Sequence, residues 1–275
     1  MPDGRLRGTL QFNGAGRTRR HAGRTFQPQN LPRPSMSNED INAGIEAMLG
    51  DYEDLVCQNV MAVASSAVRG CIIAPPGKKL VIADLANIEG RVAAWLAGEE
   101  WKLQAFRDYD AGTGPDLYKL AYSRAFRVPI EDISKDQRQI GKVMELMLQY
   151  EGGVGAFVTG SATYGIDLEG LAKTTYETLP GDVEHEARRF LTWTRAEERP
   201  TFGLSDEAFI TCDALKRMWR RSQPAIASLW GELKDTSILA VENPGNTFDC
   251  RRFKIRRDGG WLRIRLPSGR YLCYP

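Results

Sequence analysis

The chain has 275 residues, a formal net charge of +2 and an ordinary globular composition, with 42% hydrophobic and 26% charged residues. No apolar run reaches the about 18 residues of a membrane span, and the N-terminal residues lack the apolar stretch of a signal peptide. Five scattered cysteines and only two histidines argue against a zinc site, a disulfide framework and a serine-histidine triad. We therefore expect a reduced, cytoplasmic protein that does not enter the membrane.

Positive charge is concentrated in two segments. Residues 1–35 carry seven arginines against one acidic residue, and residues 251–270 carry eight basic residues against one. Such segments on a near-neutral chain are typical of a surface that binds a polyanion. Arginines that merely solvate loops would give the same composition, so the charge pattern alone leaves both interpretations open.

The N-terminal third of the chain alternates irregular and regular segments. Residues 1–35, rich in Gly, Arg, Gln, Asn and Pro, predict extended segments and turns. A helix is predicted to follow Ser37-Asn38-Glu39-Asp40, where small polar residues can cap it, and a second helix is predicted over residues 55–69. The short apolar run at residues 79–83 predicts a buried strand, and a helical pattern follows over residues 88–96.

The rest of the chain is predicted to be mainly helical until its last segment. Residues 115–150, 166–200 and 205–240 have helical patterns interrupted by prolines. Apolar and basic residues then alternate on both sides of Asp258-Gly259-Gly260, which predicts a strand hairpin. Strands at both ends of the chain with helices between them predict an α+β fold.

Two patterns could carry chemistry. Asp84 follows the predicted strand, where a carboxylate can be held at a surface, although a lone Asp there is more often a cap or a turn residue. Arg138, Lys142, Leu146 and Tyr150 recur every four residues along one helix face. Like charges at that spacing repel unless an anion lies nearby, and a phosphate chain is such an anion. A solvated basic helix edge is the alternative.

Four blocks, in order along nearly the whole chain, resemble motifs of the family A DNA polymerases (the bacterial DNA polymerase I type), most of all those of phages and prophages. The blocks are Thr18-Arg19-Arg20 with Gly23-Arg24 and Gln29-Asn30-Leu31-Pro32; Asp84-x4-Glu89-x-Arg91; Arg138-x3-Lys142-x7-Tyr150; and Leu266-Pro267-Ser268-Gly269-Arg270-Tyr271-Leu272-Cys273-Tyr274-Pro275. In order, they resemble the primer-template contact segment, the first palm motif, the fingers helix and the segment before the final catalytic strand.

The resemblance implies a partial polymerase palm, built on an antiparallel sheet, with a helical fingers subdomain. Residues 1–114 would form the first part of the palm, with the primer-template contact segment and the first metal-binding motif. Residues 115–240 would form the fingers. Residues 241–275 would return to the palm as a truncated strand hairpin.

The resemblance also implies catalytic roles. Asp84, with the carbonyl of Leu85, would bind the two Mg²⁺ ions of a two-metal site. Arg138 and Lys142 would hold the β- and γ-phosphates of a deoxynucleoside triphosphate and neutralise charge on the leaving pyrophosphate. The implied reaction is attack of a primer 3′-hydroxyl on the α-phosphate.

Further residues would contact the nucleotide and the DNA. Tyr150 would stack near the templating pair and, with Glu89, exclude a ribose 2′-hydroxyl, and Leu146 would also face the nucleotide. The residues that would touch primer-template DNA are Arg20, Arg24, Gln29, Asn30 and Arg270.

Three departures from the family pattern stand out. Leu146 occupies a position where the family usually has Phe or Tyr, and Glu151 stands where a Gly normally follows the tyrosine. The final His-Asp-Glu motif does not occur before Pro275, so we expect an incomplete metal site and a palm and fingers fragment that is inactive alone. Two alternatives are a non-catalytic DNA- or nucleotide-binding remnant of a prophage polymerase gene, and one half of a split polymerase completed by a second chain.

Overall fold

The computed structural model describes residues 3–16, 20–57, 59–161 and 166–275 in full, together with the backbone of residues 162–164. The chain packs as two compact units, Met1–Asp84 and Leu85–Pro275. Among the described residues helices dominate and two small antiparallel sheets accompany them, which confirms the predicted α+β class. In the described part of the chain no helix is long and apolar enough to cross a membrane.

The first unit combines an irregular N-terminal segment with short helices. Its elements are β1 (Leu10–Gln11), β2 (Ala22–Gly23), a 3₁₀ turn (Pro28–Asn30), α1 (Asn38–Leu49), α2 (Glu53–Val56), α3 (Val60–Ala67) and a 3₁₀ turn (Val68–Cys71). Strands β1 and β2 pair antiparallel. Within the predicted capping segment Ser37-Asn38-Glu39-Asp40 it is Ser37 that caps α1, because its Oγ accepts a hydrogen bond from the Asp40 backbone N–H at 3.1 Å. Helices α1 and α3 pack so closely at Gly44 that an added Cβ would lie 2.6 Å from Val63.

The predicted buried strand at residues 79–83 is wrong. These residues form neither helix nor strand, and Val81 and Ile82 are 82% and 89% exposed. A strand needs a neighbouring strand to pair with its backbone groups, and no described strand pairs with this run. The sequence therefore identified an apolar run correctly but not its environment, and Asp84 lies in an exposed irregular segment.

In the described residues of the second unit, nine α-helices come first, and the helical patterns predicted for it are confirmed. In order they are α4 (Ile88–Ala97), α5 (Glu100–Asp110), α6 (Leu117–Phe126), α7 (Lys135–Leu148), α8 (Val154–Tyr164), α9 (Leu168–Thr175), α10 (Gly181–Ala196), α11 (Asp206–Ser222) and α12 (Pro224–Glu242), with 3₁₀ turns at Ile130–Asp132 and Tyr176–Thr178. Their buried side chains, among them Met144, Phe157, Phe209 and Trp219, form one core.

The chain ends in a four-stranded antiparallel meander. Its strands are β3 (Thr247–Cys250), β4 (Phe253–Asp258), β5 (Trp261–Arg265) and β6 (Tyr271–Tyr274), in that spatial order. The predicted hairpin around Asp258-Gly259-Gly260 is confirmed as β4 and β5. One face of the sheet joins the core through Phe253 and Ile255, which are 6% and 0% exposed, and α12 packs beside it.

Candidate functional site

Helix α7 carries the predicted phosphate-binding residues, and its start is strongly specified. Ser134 and Gln137 form a capping box, in which each side chain accepts a hydrogen bond from the backbone N–H of the other. One turn into the helix, Arg138 donates from Nε and Nη2 to Asp116 Oδ2, at 3.1 and 2.8 Å. The guanidinium also lies 5.2 Å from the centroid of the Tyr118 ring. Arg138 is therefore held in place by α6.

Asp116 has two tasks. It caps α6 by accepting hydrogen bonds from the backbone N–H groups of Tyr118 and Lys119, both at 3.0 Å. Partial burial opposes ionisation of this carboxyl, but the Arg138 guanidinium and the two backbone N–H groups outweigh burial and lower its pKa. The same contact raises the pKa of Arg138. The carboxylate thus remains charged and fixes the Arg138 guanidinium at the start of α7.

The remaining residues of the predicted α7 face follow at four-residue intervals. Lys142 and Leu146 are half-buried, and Tyr150, just beyond the helix, is 62% exposed. The Tyr150 hydroxyl donates a hydrogen bond to Glu89 Oε2. The structure therefore brings together the two residues that the resemblance pairs for sugar exclusion, while that role stays a prediction.

Helix α4, which contains Glu89, is anchored at its first turn. Asn87 adopts a left-handed conformation with φ of 53° directly before the helix. Arg91 donates two parallel hydrogen bonds to the carboxylate of Asp110, both at 2.7 Å, and a third from Nε to the Ala86 carbonyl at 3.0 Å. Bidentate guanidinium–carboxylate pairs fix geometry in two directions. Arg91 thus fastens the segment after Asp84 to α5.

The predicted metal ligands lie on either side of the division between the units. Asp84 ends the first unit and Leu85 begins the second, and both are exposed. The Leu85 carbonyl accepts the backbone N–H of Ile88 at 3.4 Å. Within the described residues, no group of three or more His, Cys, Asp or Glu side chains could hold a metal ion.

The predicted DNA-contact segment is partly described, since Thr18 and Arg19 lie outside the described residues. Arg20 and Arg24 are exposed, and Gln29 and Asn30 are exposed on the 3₁₀ turn of the first unit. Arg69 holds the end of this segment by donating to the carbonyls of Leu31 and Pro32 at 2.5 and 2.8 Å. Sequence reasoning missed Arg69, because nothing in its local sequence indicates a partner about 37 residues away.

Several arginines of residues 251–270 hydrogen-bond to other elements and so stabilise the fold. Arg251 forms a bidentate pair with Glu232 and also donates to the carbonyls of Ala97 and Ala225, and the pair lowers the pKa of Glu232 to about 2. Arg252 donates to the Trp95 carbonyl at 3.0 Å. By contrast, Arg270 is exposed on the turn before β6. The basic segment therefore divides into structural arginines and exposed ones.

A buried polar network lies behind α7. Glu145 is 4% exposed and accepts hydrogen bonds from Lys102 Nζ, Trp219 Nε1 and Gln223 Nε2 at 2.5, 2.9 and 2.7 Å. Lys102 also donates to Gln223 Oε1 at 2.6 Å. Lys102, Glu145, Trp219 and Gln223 all have partners within this network, so it ties α5, α7 and α11 together without an orphaned charge. Sequence reasoning did not identify these residues.

A sizeable cavity lies on another face of α7. It has a volume of about 480 Å³ between α7 and α9, and its lining includes Gln137, Ile140 and Thr174. None of Arg138, Lys142 or Leu146 lines it. The cavity therefore belongs to a different face of α7 from the residues predicted to bind a nucleotide.

The comparisons with known proteins agree on one family. The model of DNA polymerase family A matches residues 55–168. A DNA polymerase of Bacillus phage SP02 is 33% identical over 278 residues, which covers 99% of this chain and 36% of the phage protein. DNA polymerase I of Pseudomonas aeruginosa is 39% identical over 90 residues, or 33% of this chain and 9% of that protein. DNA polymerase I of Rhizobium leguminosarum is 33% identical over 139 residues, or 50% and 13%.

These relatives are much longer than the region they share with this chain. The chain spans 36% of the length of the phage relative and smaller shares of the two bacterial relatives. No solved structure is significantly similar to the chain.

Proposed function

Because the chain belongs to DNA polymerase family A, we propose that it takes part in template-directed DNA synthesis, as the segment that holds the incoming deoxynucleoside triphosphate and part of the primer-template. In this proposal residues 1–114 and 241–275 belong to the palm and residues 115–240 to the fingers. The reaction is transfer of a nucleotidyl group to a primer 3′-hydroxyl. A second chain that completes the palm, and a cytoplasmic location, stay predictions.

The observation that carries the proposal is the hydrogen bond between Tyr150 and Glu89. Glu89 belongs to the block that resembles the first palm motif, and Tyr150 ends the block that resembles the fingers helix. These residues are 61 positions apart in the chain. Contact between two separately recognised motifs favours a single site over two chance matches.

Arg138 and Lys142 would bind the triphosphate. Their Cβ atoms are about 6 Å apart when they lie one turn apart on an α-helix, so both can reach neighbouring phosphates. Arg138 donates hydrogen bonds to Asp116 from Nε and Nη2, whereas a guanidinium has five N–H donors. Asp116 would therefore orient Arg138 while leaving donors for a phosphate oxygen.

Membership of this family implies a divalent metal cofactor. Mg²⁺ sites at phosphate substrates commonly use one or two carboxylates, and the substrate phosphates complete the ligand set. The oxygens of Asp84 and of the Leu85 carbonyl suit this chemistry and would provide part of such a set. When bound, the cation would neutralise charge on the phosphates.

Arg20, Arg24, Gln29, Asn30 and Arg270 would contact the primer-template. Exposed arginines suit phosphate oxygens, and exposed amide side chains can hydrogen-bond to base edges. Arg69 would act as a positioning residue, because it fixes the carbonyls of Leu31 and Pro32 directly after the two amides.

Titration of the chain with deoxynucleoside triphosphate and Mg²⁺ tests the proposal. We expect Lys142→Ala and Arg138→Ala each to weaken binding about ten-fold or more, because a charge-assisted hydrogen bond contributes roughly 1.5–3 kcal/mol. Glu89→Ala should instead reduce the preference for deoxyribose over ribose triphosphates. Fluorescence or calorimetric titration with both sugar types measures these changes.

Lys173→Ala on α9 and Arg189→Ala on α10 are the matched controls, since each removes an exposed cation of the same type from the same unit. They should bind triphosphate as the unchanged chain does. If neither substitution on α7 alters the affinity, or if the controls lose as much, the assignment of a triphosphate site to this helix is wrong.

A further inference from the structure

The exposed face of the C-terminal sheet carries a cluster that the proposed nucleotide site does not use. We call it the basic sheet face and define it by Lys254 and Arg256 on β4, Arg263 and Arg265 on β5, and Tyr271 on β6. All five are exposed, whereas Phe253 and Ile255 on the opposite face are buried. The alternation of a β-strand therefore places the cations on the face away from the core.

The register of the sheet sets these cations directly opposite each other. Lys254 pairs with Arg265 and Arg256 pairs with Arg263, which gives two neighbouring rungs of like charge. Neighbouring positions in this array are about 5 Å apart across the strands and about 7 Å apart along them. Like charges directly opposite each other in a sheet are destabilising, so the stability of the sheet does not explain this arrangement. Binding of a ligand with several negative charges would explain why the cations lie opposite each other.

Acidic residues compensate the array only partly. Lys254 Nζ lies 2.7 Å from Asp249, and Arg256 Nε lies 2.5 Å from Asp258. Arg263 is 3.7 Å from Asp258, so two carboxylates pair with three of the four cations. Arg265 has no ion-pair partner within the described part of the chain. Exposed pairs of this kind contribute little and can be exchanged for phosphate oxygens.

The face is shaped as a shallow platform with aromatic rings. A hollow of about 300 Å³ is lined by Thr247, Asp258, Tyr271 and the four cations. A second hollow of about 270 Å³ adjoins it and is lined by Trp261, Arg263, Tyr271 and Cys273. The Trp261 and Tyr271 residues are 47% and 56% exposed. Cations that bind phosphates beside rings that can stack on bases are the two components of single-strand binding.

We propose that the basic sheet face binds single-stranded DNA. The phosphates lie along Lys254, Arg256, Arg263 and Arg265, and an unpaired base stacks on Tyr271. The aromatic rings favour a single strand over a duplex, because paired bases do not expose their faces for stacking. The choice of DNA as the polyanion rests on the proposed function, but the site is separate from the residues that would bind the triphosphate.

Binding of the 275-residue chain to a fluorescent oligo(dT) of about 16 nucleotides, without nucleotide or Mg²⁺, tests this proposal. We expect the double variant Arg263→Ala/Arg265→Ala to bind at least about ten-fold more weakly. Its log–log salt slope should be shallower by about 1.4, since each lost phosphate contact to a single strand accounts for about 0.7. Tyr271→Ala should weaken binding about five-fold or more.

The control variant is Lys173→Ala/Lys234→Ala, which removes two exposed cations from helices of the same unit and should bind like the unchanged chain. Equal losses in both double variants would overturn the proposal, as would tighter binding to a duplex of the same length than to oligo(dT). An unaffected Tyr271→Ala variant would also overturn it, because the face would then bind polyanions in general. Triphosphate titrations are independent of these outcomes, so failure here leaves the proposed function standing.

Discussion

Among single residues, Glu145 shows most clearly how a charge is kept in the core beside the candidate site. Its carboxylate is 4% exposed and has three donors, of which Lys102 is the charged one. Moving two ions out of water costs free energy. The pair of Lys102 and Glu145 therefore stabilises the fold mainly by comparison with variants in which one of the two ions has been removed. The network therefore specifies how α5, α7 and α11 meet more than it increases the free energy of unfolding.

Lys102→Met is expected to destabilise the chain by about 3–5 kcal/mol, because it leaves the Glu145 carboxylate buried without its counter-charge. The double variant Lys102→Met/Glu145→Gln should recover much of this loss, since no buried charge remains and an amide can still hydrogen-bond to Gln223. Urea unfolding of the single and double variants measures the coupling. A loss below about 1 kcal/mol in Lys102→Met would contradict the assignment of a buried ion pair.

The identity of single residues indicated an unusual position at Glu151 but not the long-range contacts of Arg69. Glu151 stands where the family normally has Gly, and it adopts a φ of 61°, in the left-handed region that Gly favours. Glu151 therefore differs from the family motif at a position where the backbone adopts a left-handed conformation. The tie from Arg69 to Leu31 and Pro32 could not be predicted, because it joins residues far apart in the chain with no pattern that links them.

Among the elements, helices with a capping residue and a regular apolar face were predictable. The starts of α1 at Ser37 and of α7 at Ser134 follow from side chains that satisfy free backbone N–H groups. The hairpin of β4 and β5 followed from alternation on both sides of a Gly-Gly turn. The run at residues 79–83 failed because a strand depends on a pairing partner, which a local pattern does not contain.

The basic sheet face allows a prediction for the sheet itself. Arg265→Gln is expected to raise the free energy of unfolding by about 0.2–1 kcal/mol at low salt, because it removes a cation opposite Lys254. The gain should shrink as ionic strength rises, because salt screens exposed charges increasingly as the Debye length shortens to about 8 Å at about 0.15 M. Urea unfolding at several salt concentrations measures it. Arg265→Lys, which keeps the charge, should show no gain, and a gain independent of salt would contradict this explanation.

At the scale of the whole molecule, the chain consists of two compact units that meet in sequence at Asp84 and Leu85. The segment before this point, residues 72–84, contains no helix or strand, and almost all of it is exposed. The sequence predicted a subdomain boundary at residues 114 and 115 from family resemblance, and that assignment to palm and fingers stays a prediction. Local patterns find helices well, but compactness depends on contacts between distant residues, which they do not record.

Trypsin is expected to cut the chain early after Lys78 and Lys79, besides the arginines of the N-terminal segment, because exposed backbone without regular hydrogen bonds fits a protease readily. A resistant fragment that starts at Leu80 should accumulate. Time courses read by mass spectrometry identify the cuts, and Lys78→Gln/Lys79→Gln is the control that should remove them. Equally rapid cleavage within the helices of residues 85–242 would contradict the division into a compact second unit.

Helix α4 is hydrogen-bonded near both of its ends and so links two parts of the second unit. Near its start, Glu89 accepts a hydrogen bond from Tyr150, and at its last residue the Ala97 carbonyl accepts one from Arg251, in the turn between β3 and β4. These two points lie eight residues apart, or about 12 Å along a stiff rod. Helix α4 therefore connects, by a hydrogen bond near each end, a residue of the proposed nucleotide site with the turn that leads into β4, so Tyr150 and this turn are both held against one stiff element.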